Sequence, residues 1–197
     1  MEGRLVDWES VVNVACDALA FQIIPHMSSL TAYLITFSEY NDWYLERVKR
    51  PFWDVFGRHI NLGFSLVHTA VGAASYIVYQ KEAHWLSRSA PLMLCAVQLF
   101  LDFSWRPIYF NQKHWPRTLR QSVACTLLSS SLALLYHRTD ELAGRLVMPY
   151  AAWWLYLTSV VGYVWLFNDP VESWKRLSFG GSLLIRHPTV PGGSISN

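Results

Sequence analysis

Residues 60–80 read Ile-Asn-Leu-Gly-Phe-Ser-Leu-Val-His-Thr-Ala-Val-Gly-Ala-Ala-Ser-Tyr-Ile-Val-Tyr-Gln, without a single Asp, Glu, Lys or Arg. A helix needs about 20 mostly apolar residues to cross roughly 30 Å of hydrocarbon, and this run has that length. One run alone does not decide, because a buried helix of a soluble core reads the same way. Its neighbours decide. Four further stretches approach spanning length at 11–37, 91–110, 119–137 and 146–167, and nearly all the charge lies in the loops 38–59, 81–90, 111–118 and 138–145. Those loops are too short for a second packed layer. The expected fold is all-α, an integral membrane bundle of five transmembrane helices.

Composition agrees. Charged residues make up 15% of the 197-residue chain, against roughly 25% in soluble proteins. Aromatic residues also make up 15% and suit the two lipid–water boundaries. The net charge of +2, with no basic run, excludes a phosphate-binding stripe and hence nucleic acid as partner. Cys16, Cys95 and Cys125 form no paired motif and read as small core hydrophobes. Glu2, Asp7 and Glu9 give the start the wrong charge for a cleavable signal or transit peptide. Three parts are expected: a short segment 1–10, the helical domain 11–169, and a tail 170–197 with helix-breaking Gly180-Gly181, Pro188 and Pro191-Gly192-Gly193.

With five spans the ends lie on opposite sides, and the Lys/Arg balance chooses between them. The N-terminus with the second and fourth loops carries five basic residues; the first and third loops with the tail carry eleven. The first loop and the C-terminus are expected in the cytosol.

Ionisable groups inside a membrane cost roughly 2.5–3.5 kcal/mol on insertion scales, so each needs a reason. Gln98 and Asp102, four residues apart, share a helical face and point together into the bundle. Two readings of Asp102 stay open: a neutral side chain in an interhelical hydrogen bond, or a carboxylate paired with Arg106 one turn on. A polar contact at the bottom of a ligand cavity is its functional version. His26 and His68 read as bundle-facing polar residues, without a second ligand at i+4 to hold a metal. Residues 70–75, Ala-Val-Gly-Ala-Ala-Ser, form a small-residue face for close helix packing; homodimerisation through such faces is also open. No nucleotide, zinc or serine-protease motif is present, so no catalytic residue, metal or cofactor is assigned.

Ordered motifs add a resemblance. Pro25, Trp43-Tyr44, Pro51-Phe52-Trp53 and Gly72-Ala73-Ala74-Ser75-Tyr76-Ile77-Val78-Tyr79 stand in the order of the translocator protein (TspO) family. Gln98-Leu99-x-Leu101-Asp102-x-x-Trp105-x-x-x-Tyr109-Phe110 is similar to that family's third-helix pattern, with Asp for Asn. Leu142-Ala143-x-Arg145-Leu146-x-x-Pro149-Tyr150-x-x-Trp153 is similar to its fifth-helix pattern. The resemblance runs from about residue 24 to 168. It implies a pocket capped by the first loop that binds tetrapyrroles such as porphyrins, sterols or drug-like molecules. In eukaryotes it implies the mitochondrial outer membrane; otherwise the cell membrane. Trp105, Trp153, Asp102, Phe64, Tyr33 and His68 carry over as ligand-binding candidates.

Departures from the family pattern accompany it. Phe64 stands where the family has a pocket Trp, His68 where it has a Tyr, and Arg58 replaces another Trp of the approach to the second helix. The sterol-recognition pattern is a remnant: Val160 and Tyr163 are in place, but Leu166 occupies its basic position. A receptor or transport-associated protein for lipophilic ligands is the expected function. A tetrapyrrole-degrading enzyme is disfavoured because Phe64 is a harder one-electron donor than indole. A scaffold recruiting partners through the cytosolic loop and tail is the third reading.

Overall fold

The computed structural model describes residues 8–54, 59–81 and 85–168. Five long helices carry the architecture: α1 Trp8–Ser38, α2 Ile60–Lys81, α3 Trp85–Arg106, α4 Trp115–Thr139 and α5 Glu141–Asn168. The shortest has 22 residues, which is about 33 Å at 1.5 Å per residue and enough to span a bilayer. The protein is an all-α, five-helix membrane bundle. Its helices begin earlier than the apolar runs: α3 starts six residues before Pro91 and α4 four before Leu119. Each extra stretch carries a basic residue, Arg88 or Arg117, and a hydropathy reading stops where charge begins.

Residues 12–47, α2 and α5 are long and apolar enough to cross a membrane by composition alone. The other two helices fall short because α3 buries Gln98, Asp102 and Arg106 and α4 is rich in hydroxyls. Those hydroxyls are satisfied locally. Ser129, Ser130 and Ser131 donate to the carbonyls of Cys125, Thr126 and Leu127 at 2.7–2.9 Å, as serines in membrane helices do.

The helices close a ring: α1 packs on α2 and α3, α2 on α5, α5 on α4, and α4 on α3. Outward-facing Leu19, Ile23, Leu34, Leu66, Leu134 and Leu155 are each more than half exposed, the apolar coat that lipid contact requires. Gly72 is where α1 and α2 approach: a Cβ there would sit 2.7 Å from the Phe21 carbonyl oxygen. The small-residue face is therefore covered by α1 at this point. Gly144 does the same between α4 and α5, which a single extended residue, Asp140, connects; a Cβ would meet His137 at 2.4 Å. Asp140 caps α5 by accepting from Ala143 N–H at 2.9 Å.

Two helices end in wider π turns, Glu39–Tyr44 after α1 and Pro107–Asn111 after α3. The first brings Tyr40 and Tyr44 into the core and leads into one α turn, Leu45–Arg47, before Val48 turns extended. The incoming loop is then clasped to α5. Asn168 accepts from Lys49 N–H at 2.8 Å and donates to the Lys49 carbonyl at 2.9 Å. Asp54 accepts from Tyr156 at 2.8 Å and Tyr44 at 3.0 Å. The first loop and the end of α5 thus share one face of the bundle. Expectations for 1–7 and for the tail beyond 168 lie outside the described residues.

Candidate functional site

On α3, successive turns present Gln98, Asp102 and Trp105 to the interior, all at most 3% exposed. Asp102 Oδ2 shares a 2.8 Å hydrogen bond with His68 Nε2 of α2 and accepts from the Tyr150 hydroxyl of α5 at 3.0 Å. Gln98 Nε2 donates to the same Tyr150 oxygen at 3.5 Å. Three helices are thus joined through one carboxyl group, and burial makes that link strong because water cannot compete for it. His68 Nδ1 is buried and has no hydrogen-bond partner among the described residues. His26 stands edge-on to His68 at 6.4 Å and shares a 3.2 Å hydrogen bond with Thr69 Oγ1.

Arg106 does not reach back to Asp102. Its Nη1 donates to Asn61 Oδ1 at 2.7 Å, its Nη2 to Ser29 Oγ at 3.4 Å, and its guanidinium lies 4.3 Å from the centre of the Phe64 ring. Rotamer and neighbours decided this, and helical spacing alone does not reveal them.

Aromatic rings enclose the polar group. Phe64 stands 5.4 Å from Trp153, 6.1 Å from Trp154 and 6.5 Å from Trp105, and Trp105 stacks on Tyr109 at 5.0 Å. Trp105 Nε1 donates to Ser122 Oγ at 2.8 Å. Five candidates, Trp105, Trp153, Asp102, Phe64 and His68, therefore converge. Tyr33 packs at the margin, edge-on to Phe37. Trp154 and Tyr150 belong to the same cluster; Tyr150 was visible in the sequence only as part of a motif. The rings pack closely, and beside Trp105 and Tyr109 a void of only about 10 Å³ remains, room for one water.

Val160 of the sterol-pattern remnant is buried, while Tyr163 stacks on Phe167 at 4.3 Å and meets Trp53 of the first loop at 5.3 Å. No group of three potential metal ligands occurs among the described residues.

A larger space lies elsewhere. Between α1 and α3 runs a groove of about 500 Å³, bordered by residues including Ile24 and Met27 of α1 and Leu99 and Phe100 of α3. Ile24, Met27 and Phe100 are more than half exposed, so its mouth opens on the outer, lipid-facing side. None of the six candidates lines it.

The sequence profile described as the TspO/MBR family matches residues 21–166. The chain belongs to the TspO/MBR family. The matched span takes in the second half of α1, all of α2, α3 and α4, and nearly all of α5. Among relatives, the human Translocator protein is 25% identical over 163 residues, covering 81% of this chain and 95% of its own. Translocator protein of Bos taurus is 26% identical over 82% of this chain and 95% of its own. Human Translocator protein 2 is 26% identical over 74% and 86%. This TspO/MBR member thus matches its relatives through most of the bundle, at an identity that leaves room for the interior to differ.

Proposed function

We propose that this membrane protein is a receptor or transport-associated protein that binds lipophilic ligands, namely tetrapyrroles, sterols or drug-like molecules, within the helix bundle. The observation carrying this reading is the buried His68–Asp102–Tyr150 group with an unpartnered imidazole nitrogen, set among Phe64, Trp105 and Trp153. Sites for such ligands combine aromatic area, which supplies affinity, with a few polar atoms that fix orientation. Translocator is also the name its relatives carry. The close packing of the rings makes access a rearrangement: Phe64 and Trp153 must part, under a first loop held by Asp54 and Asn168. The reading places the first loop and C-terminus in the cytosol, and a eukaryotic protein in the mitochondrial outer membrane.

The test is porphyrin titration of purified protein. Saturable quenching of tryptophan fluorescence is expected, weakened by about 1–3 kcal/mol in Trp105→Ala and Trp153→Ala, a typical anchor-residue effect. No saturable quenching in the parent, or parent-like binding by both folded variants, refutes it. Loss of pigment under light would favour degradation.

A further inference from the structure

The first loop runs down the side of α5. Lys49 is tied by two hydrogen bonds to Asn168, the last residue of that helix. Trp53 then meets Tyr163 edge-on at 5.3 Å, and Asp54 accepts from the Tyr156 hydroxyl at 2.8 Å. Tyr163 lies five residues before Asn168, about 7.5 Å back along the helix axis. The loop from 49 to 54 therefore leads from the end of α5 toward its middle.

That descent brings aromatic side chains to the lipid boundary. Helix α5 has 28 residues, and about 20 suffice to cross the hydrocarbon. A centred helix leaves roughly four at each end, which puts the boundaries near Arg145 and near Val164. Tyr163, and with it the turn at Phe52 and Trp53, lies at the second boundary. Asp54 N–H closes that turn by donating to the carbonyl of buried Pro51 at 3.0 Å. Phe52, at the tip, is 92% exposed and stands edge-on to Trp53 at 5.0 Å; Trp53 is 37% exposed. Phe167, stacked on the same Tyr163, is 57% exposed.

We infer that the Phe52–Trp53 turn is a membrane anchor: it inserts at the boundary between lipid head groups and acyl chains, and the bilayer holds the first loop against α5. Tryptophan rings settle at that depth, and removing an exposed phenylalanine from water is favourable. Exposed Arg47 and Lys49 flank the turn; their apolar stems can follow the rings while the charges stay among the head groups. Arg50 is kept on the protein side, where its Nη1 donates to Asp54 at 3.5 Å and its guanidinium lies 5.6 Å from the Tyr44 ring centre. Continuity argues for lipid as the partner: the patch merges through Phe167 with the apolar outer face of α5, which lipid covers. The inference stands on the path of the loop and does not depend on what the bundle binds.

A nitroxide is attached at Phe52→Cys in a chain whose Cys16, Cys95 and Cys125 are replaced by alanine, and the protein is placed in phosphatidylcholine nanodiscs. The same label at exposed Arg138→Cys serves as reference. At position 52, collisions with dissolved oxygen should exceed those with an aqueous nickel chelate, and the order should reverse at position 138. In the chain with its natural cysteines, trypsin should cut Phe52→Asp at Arg47 and Lys49 several-fold faster than the parent in nanodiscs, and Phe52→Leu like the parent. The inference is overturned if the label at 52 meets the chelate as freely as the label at 138, which places the turn in water. It is overturned equally if that label is shielded from both reagents, which places a second copy or the chain's own tail over it, or if Phe52→Asp is digested like the parent. The digestion keeps the natural cysteines, so a cysteine-free chain that fails to fold leaves the question decided.

Discussion

A methyl group added at Gly63 has nowhere to go. Its Cβ would lie 2.1 Å from Trp153 Cη2 and 2.6 Å from Cζ2 and Cζ3, whereas carbon atoms settle about 3.5–4.0 Å apart. The indole must move by more than about 1 Å, or α2 must withdraw from α5. Trp153 has little freedom to yield, with Phe64 at 5.4 Å and Tyr156 at 5.3 Å. Overpacking of this kind costs about 1–3 kcal/mol. At the size of this protein, that lowers the melting temperature by roughly 2–12 °C. Gly63→Ala, Trp153→Leu and the double variant should be melted in detergent beside the parent. If the clash is the cause, the methyl costs much less once the indole is gone, and the two changes are not additive. Parent-like melting of Gly63→Ala, or strict additivity, would refute the packing described for α2 and α5.

Asp102→Asn retains an acceptor for Tyr150 and should cost about 1 kcal/mol or less, while Asp102→Leu strands two buried polar groups and should cost about 2–4 kcal/mol; equal melting of the two variants would show that the link is not structural. Asp54→Ala removes the acceptor shared by Tyr44 and Tyr156 and should make trypsin cut at Arg47 and Lys49 several-fold faster, an outcome that unchanged digestion would contradict. The hydrogen bond from Lys81, with that of Ala143 N–H, holds the Asp140 carboxyl below its ordinary range. Its contribution is therefore full above the unfolded value of about 3.9 and is lost as pH falls through the lowered folded one. Asp140→Asn should accordingly melt with a weaker dependence on acid than the parent, and identical acid limbs would count against the pair.

The bundle was legible because spanning length is a property of local composition: five apolar runs became five helices in the expected order. The convergence of Trp105, Trp153, Asp102, Phe64 and His68 was legible too, from helical spacing and family motifs together. What sequence could not show are contacts without local signal. Asn168 meets Lys49 across 119 positions, and Asp54 meets Tyr156 across 102. The partner of Arg106 stayed open in the sequence for a related reason. A long side chain one turn from Asp102 has several rotamers, and the presence of Asn61 on another helix selects among them. The groove between α1 and α3 escaped notice because it is made by what two helices fail to fill.

The direction in which that groove opens also governs how the affinity of any lipophilic molecule tested against it must be expressed. A mouth bordered by Ile24, Met27 and Phe100 samples molecules dissolved in hydrocarbon, so occupancy follows their mole fraction in the bilayer and not their aqueous concentration. Partition of a chain into lipid, at about 0.8 kcal/mol per methylene, comes before any contact with the protein. Adding empty vesicles at constant protein and ligand therefore dilutes the ligand in two dimensions and weakens its apparent binding. Two homologous chains that differ threefold in water-based affinity can be equal competitors once each is counted per lipid molecule.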